Sequence, residues 1–306
     1  MASYNFEYLD EVVVNALTFF NKNKPAKLDL KKLNMPIVVG SGNAYNAGLI
    51  IFKDKNALFA TESNFLAMLK NYKPLIKSGL IKEAVIISAS GEKDSIWEVK
   101  AAKKAGLKTI LMTCVAGSSA AKLADQVIAY RKLAEPYTYN TSTYLGMILS
   151  ATGENPLAIK NFLKKINLPR RYKKYSSYSF VLPDEYGAIA PMLDIKRHEL
   201  FGPKMSLRAF SSGEARHAKF VVRDDKELVI SFGKNEFFGS PKSRLEINLP
   251  KTANSGLVMA TAYYLIGFMQ RSKPNYFGRN IERYCSDDGY KAYGLTKPFE
   301  VIVPGN

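Results

Sequence analysis

The chain is poor in the residues that build disulfide scaffolds and metal centres. It holds two cysteines, Cys114 and Cys285, and two histidines, His198 and His217, in 306 residues. Two distant cysteines exclude a disulfide framework and a four-cysteine zinc site, and they suit a reducing compartment. Long apolar runs are missing as well. The longest uncharged one, Ser255 to Gln270, is short for a membrane span and reads as a buried helix. The first residues include Asn5, Glu7, Asp10 and Glu11, without a basic-then-apolar signal pattern. The expectation is a cytoplasmic protein with no membrane partner. Acidic residues are scarce: 27 Asp and Glu stand against 44 Lys and Arg, a net charge of +17. That excess favours anionic partners.

What is present is apolar enough, at 47%, for a sizeable core. The densest basic cluster is Lys164, Lys165, Arg170, Arg171, Lys173 and Lys174, interleaved with Tyr172 and Tyr175. Such a stretch can track a nucleic-acid backbone. Pro169 in its middle favours a solvated linker instead, and no nucleic-acid partner is expected.

Strand and helix patterns alternate along the chain. Residues 4 to 20 carry helical spacing in Phe6, Val13, Leu17 and Phe20. Met35 to Gly40 reads as a strand running into a small-residue turn at Ser41 to Gly48. Its glycines lack the dinucleotide spacing, so no nucleotide cofactor is read from them. Further strands are expected at Leu58 to Thr61, Ala84 to Ile87, Thr109 to Cys114 and Gln126 to Ala129. Helices are expected at Ser63 to Lys70, Asp94 to Ala105, from Ala116 onward and at Thr143 to Thr152. After Asn167 to Tyr175 a second alternating unit begins, with strands at Tyr178 to Leu182, Ser206 to Phe210, Glu227 to Phe232 and Leu245 to Leu249. Its helices are expected at Tyr186 to Phe201 and Ser255 to Arg271, with a turn at Gly213 to His217. The alternation predicts parallel sheets with helices on both faces and ligands at the strands' carboxyl ends. The division expected is 1–166, a linker at 167–175, and 176–306.

One stretch stands out: Ser88-Ala89-Ser90-Gly91-Glu92-Lys93, between an apolar strand and a helix that Asp94 or Ser95 can cap. First-turn amides, the helix dipole, the hydroxyls of Ser88, Ser90 and Ser95, and the charge of Lys93 make an anion cradle. A phosphate is its natural guest; a capped turn without a ligand is the alternative. The second half has Ser231-Phe232-Gly233-Lys234-Asn235 at the corresponding place, so one phosphate site per chain is expected.

Tyr45-Asn46-Ala47-Gly48, Ser88-Ala89-Ser90-Gly91-Glu92, and Gly117-Ser118-Ser119 with Asp125 form a series of short motifs in the first half. Lys196-Arg197-His198-Glu199, Gly213-Glu214-Ala215-Arg216-His217 and Arg279-Asn280-Ile281-Glu282-Arg283 continue it in the second. With these motifs, residues 35 to 285 resemble the sugar isomerase (SIS) domain family in its tandem form, and are similar in pattern to the isomerase part of glucosamine-6-phosphate synthase and related sugar-phosphate deaminases. The resemblance implies an α/β fold of two tandem SIS-type domains and a homodimer acting on a hexose 6-phosphate. It implies that Ser88 and Ser90, with Gly91, Lys93 and Ser95, hold the phosphate, and that Gly42, Asn43 and Glu214 line the sugar site. Glu199 would move a proton between C1 and C2 through an enediol, with Glu214 as the competing base. His217 would open the ring, and Lys196 and Arg283 would flank the pocket. Isomerisation of this kind asks for one carboxylate, one group near neutrality and nearby cations, with no metal or cofactor.

The pattern also departs from the family. Lys93 replaces the loop's usual threonine, Asn43-Ala44 replaces a hydroxyl pair, and 284–306 run past the family's usual end. Ala2 follows Met1, so glutamine-dependent amination is not expected of this chain. The readings that remain open are a phosphosugar isomerase or deaminating isomerase, a bifunctional phosphoglucose/phosphomannose isomerase, and a non-catalytic sugar-phosphate-binding regulator.

Overall fold

A computed structural model describes residues 6–220, 222–287 and 289–306. The first helix, α1 (Leu9–Lys22), starts later than the pattern suggested; residues 4 and 5 lie outside the described residues. There follow β1 (Ile37–Gly40), α2 (Asn43–Ile51), β2 (Leu58–Ala60), α3 (Phe65–Asn71), α4 (Lys73–Lys77) and β3 (Glu83–Ile87). Next come α5 (Asp94–Lys104), β4 (Lys108–Thr113), β5 (Gln126–Ala129), β6 (Glu135–Pro136), α6 (Thr141–Thr152) and α7 (Pro156–Leu163). The remainder is β7 (Ser177–Leu182), α8 (Ala190–Phe201), β8 (Ser206–Ser211), α9 (Ser212–His217), β9 (Glu227–Phe232), β10 (Arg244–Ile247), α10 (Ser255–Gln270), α11 (Tyr276–Ser286) and β11 (Ile302–Val303).

The chain divides into two compact units, and the division is not sequential. Lys22–Gly153 groups with Cys285–Asn306, and Met1–Asn21 groups with Glu154–Tyr284. A cut at residue 166 separates α1 and α7 from the helices they bury against. It also puts 285–306 with the wrong sheet.

In the first unit a five-stranded parallel sheet runs in the order β2-β1-β3-β4-β5. The apolar runs of β1, β3 and β4 are buried on both faces, as an all-parallel sheet requires. Ile37, Val39, Ile86 and Leu111 face one side, packed with Phe65 and Leu69 of α3 and Val99 and Ala102 of α5. On the other side α2 comes so close that a Cβ on Gly48 would meet Val38 and Ile87 at 3.0 and 3.3 Å. The helix expected after Ala116 is absent; the segment forms turns instead. Its amides are captured from outside, Ser119 N–H donating to Glu92 Oε1 (2.9 Å) and Ala120 N–H to the Gly91 carbonyl (3.0 Å).

The second unit holds a four-stranded parallel sheet, β10-β9-β7-β8. The uncharged run reads out as expected: α10 is buried along nearly its whole length. Glu154 accepts the amides of Asn254, Gly256 and Leu257 and so places an anion at the positive end of α10. The basic stretch is not a solvated linker. Tyr172 and Tyr175 are buried, and the Tyr172 hydroxyl donates to the Leu265 carbonyl at 2.7 Å. The rings are thus unavailable for base stacking, while the six cations stay exposed.

Helix α1 closes this unit against α10. Arg271 donates to both carboxylate oxygens of buried Asp10 (2.8–3.2 Å), beside Gly267, where a Cβ would overlap the Asp10 backbone amide. Gly267→Ala is therefore expected to destabilise the protein by about 1–3 kcal/mol, read as a lower urea midpoint. An unchanged midpoint would mean that α1 is not held at this distance.

Candidate functional site

Chain order reverses between β1 and β3, which are hydrogen-bonded neighbours: β1 is followed by β2 on one side and β3 lies on the other. Crevices outside such reversals are where parallel α/β sheets bind ligands. Two β–α turns meet the crevice, Gly40 to Asn43 after β1 and Ser88 to Lys93 after β3. They share an unusual backbone. Gly42 caps α2 at φ 54°, ψ −121°, and Lys93 caps α5 at φ 58°, ψ −128°. Glycine adopts that conformation readily; lysine does so at a cost of about 1–3 kcal/mol. Neither Asp94 nor Ser95 caps the helix: Asp94 is its first residue, and Ser95 is buried with its hydroxyl donated to the Glu92 carbonyl at 2.7 Å.

The serines organise the loop through its own amides. Ser88 Oγ accepts the Gly91 amide (3.1 Å) and Ser90 Oγ accepts the Glu92 amide (3.3 Å). The Gly91 amide, expected at the phosphate, is thus spent, as is that of Glu92, but each hydroxyl keeps its own hydrogen to donate. The helix leaves the Asp94 and Ser95 amides without intrahelical acceptors. Gly91 has φ +64°, and a Cβ there would fall into the Ser118 side chain. Lys93 packs against two aromatic rings: its Nζ lies 4.2 Å from the ring centroids of both Tyr293 and Phe299. Burial holds its ammonium below the usual lysine range. In the neighbouring turn Asn43 is buried, and its side-chain oxygen has no hydrogen-bond partner.

Within α5, Glu98 is buried with Oε1 unpartnered. Desolvation, aided by the charges of Asp94 and Glu62, pushes its carboxyl up to about 8. Sequence reading gave no hint of this group, since a single Glu in a helix resembles any surface Glu.

In the four-stranded unit, Lys196 is wholly buried and donates to Glu199 Oε2 at 2.6 Å. Burial raises the Glu199 carboxyl above its ordinary range, and the Lys196 charge opposes that rise. Glu214 is engaged elsewhere. It closes a capping box on α9, accepting the Ser211 amide (2.8 Å) while Ser211 Oγ accepts the Glu214 amide (3.2 Å). The turn expected at 213–217 is therefore a short capped helix. His217, His198 and Arg283 are exposed. At the carboxyl end of the second sheet a cleft is lined by Val181, Ser212, Ser231, Lys234 and Phe237 among others. Ser212 and Ser231 donate there to the carbonyls of Leu182 and Gly233. Among the described residues no group of His, Cys, Asp and Glu is arranged to hold a metal, and no helix is long and apolar enough to cross a membrane.

Comparison with known proteins places the fold. Glucosamine-6-phosphate deaminase from Thermotoga maritima superposes with a TM-score of 0.59 at 18% identity, over 86% of this chain and 92% of that one. The C-terminal domain of glucosamine-fructose-6-phosphate aminotransferase from Francisella tularensis gives 0.56 at 15% identity over 86% and 93%. Tagatose-6-phosphate ketose/aldose isomerase from Escherichia coli gives 0.56 at 12% identity over 86% and 90%. The chain has the α/β fold of these sugar-phosphate enzymes, with parallel sheets flanked by helices. In sequence, 105 residues are 31% identical to glutamine–fructose-6-phosphate aminotransferase from Caldanaerobacter subterraneus, covering 33% of this chain. The match spans 17% of that relative's length. No family model matches the chain.

Two outcomes follow. Gly91→Ala is expected to cost about 1–3 kcal/mol through positive φ and overlap with Ser118, and to expose the 88–95 amides to hydrogen exchange. Wild-type exchange in that variant would refute the close approach. Glu98 binds its proton more tightly in the folded state, so stability falls as pH rises from about 4.5 to about 8, by at most about 1.4 kcal/mol per unit. Glu98→Gln is expected to flatten that decline in urea midpoints measured at pH 5, 6.5 and 8.

Proposed function

We propose that the chain is a phosphosugar isomerase of the tandem SIS type, acting on a hexose 6-phosphate through an enediol. The pair of like-shaped turns at the reversal point of the five-stranded sheet carries this reading. Ser88 and Ser90 donate hydroxyl hydrogens to the phosphate, and the first-turn amides of α5 face it. Ser95 and Gly91 shape the loop rather than touch the guest. Gly42 allows the backbone to turn beside it, and the unpartnered Asn43 oxygen accepts a sugar hydroxyl. Relatives of the same fold whose names specify sugar phosphates support the substrate class.

Glu199 is the base. Its raised carboxyl range suits taking up and returning a carbon-bound proton, and Lys196 beside it stabilises the enediolate. Glu214 is a poor competitor because the capping box already uses its carboxylate. Exposed His217 fits ring opening in a neighbouring copy of a homodimer, with Arg283 at the pocket edge.

The test is incubation with fructose 6-phosphate, following glucose 6-phosphate, mannose 6-phosphate and, with ammonia, glucosamine 6-phosphate. We expect one of these products. Ser88→Ala with Ser90→Ala is expected to raise KM at least about tenfold. Glu199→Gln is expected to lower kcat by about 10²–10⁴. Full-rate turnover by Glu199→Gln removes the base, and unchanged affinity in the serine variant removes the loop. Binding of hexose phosphate without turnover of any sugar makes the chain a regulator.

A further inference from the structure

Two features set this chain apart from the family pattern: a lysine in the loop and a tail of some twenty residues after α11. The structure joins them. The tail folds within the five-stranded unit, where β11 pairs antiparallel with β6 and the Tyr137 amide donates to the Val301 carbonyl at 2.8 Å. Phe299 stacks on Tyr137 with centroids 4.8 Å apart, and Tyr290 and Tyr293 meet it edge-on. Lys93 Nζ is caught at 4.2 Å from both the Tyr293 and the Phe299 ring. The tail makes a second junction at Asn306. Its Oδ1 accepts the Lys132 amide (2.7 Å), and its Nδ2 donates to the Cys114 carbonyl (2.6 Å). Cys114 in turn donates its amide to the Ala89 carbonyl, inside the loop, at 3.0 Å. Gly305 passes so close to the backbone of Lys132, Leu133 and Ala134 that a Cβ would not fit.

We propose that residues 290–306 are a strap that positions the 88–95 loop through these two junctions, with Lys93, Tyr293 and Phe299 as positioning residues for the phosphate. This rests on the proposed phosphate role of the loop. Lysine in a backbone conformation that suits glycine needs an external hold, and cation–π contact with two rings supplies it. A threonine at 93 has no charge to offer the rings, and a chain ending at α11 has no rings to offer the lysine. The two departures are one device.

The test uses the full chain with Tyr293→Leu and Phe299→Leu together, which keep apolar volume and remove the ring faces. Loss of two cation–π contacts is expected to weaken fructose 6-phosphate and inorganic phosphate binding by about three- to tenfold, with kcat unchanged. Amide exchange over 88–95 is expected to quicken, while that of β3 and β4 does not. Lys93→Arg is expected to stay near wild type, and Lys93→Met to match the double variant. Unchanged loop exchange and unchanged affinity in the double variant overturn the strap. Wild-type protein that binds neither phosphate nor hexose phosphate overturns the phosphate reading instead, and the exchange comparison still decides the strap.

Discussion

The loop depends on a missing methyl group. Gly91 packs its bare α-carbon against the Ser118 side chain, at a positive φ that also favours glycine. That approach lets the Gly91 carbonyl take the Ala120 amide and brings Glu92 to the Ser119 amide. The segment after β4 is thereby recruited as a wall of the loop rather than a helix of its own. Ser88 and Ser90 then tie the loop's inner amides.

The four-stranded unit solves a different problem. Burying Lys196 completely costs desolvation, and the short bond to Glu199 offsets part of it. The same burial raises the Glu199 carboxyl. Glu214 shows the reverse case: a carboxylate in a suggestive motif whose position is explained by helix capping alone.

Much of the scaffold was legible because parallel strands buried on both faces leave a plain mark. β3 and β9 could be located from runs such as Ala84 to Ile87 and Glu227 to Phe232, and the length of α10 from its uncharged stretch. α11 was not read, although Phe277, Ile281 and Cys285 recur at helical spacing and are buried, because the segment stands out only as the motif Arg279 to Arg283. β11 was not read, since two residues make a strand only where a partner such as β6 exists. Tyr172 and Tyr175 looked like a solvated, interleaved stretch because local pattern cannot say which way a ring turns.

The sequence alone determined the small-residue turn after β3 and most of the succession of strands and helices. These follow from local rules: small hydroxyl residues make turns, and apolar periodicity makes buried elements. Only the tertiary structure decided that Lys93 points to two aromatic rings from a distant tail, that Glu98 is buried with its carboxyl pushed up, and that α1 and α7 join the four-stranded unit. Those outcomes depend on which surfaces meet after the chain has folded, and no short window of sequence contains both partners.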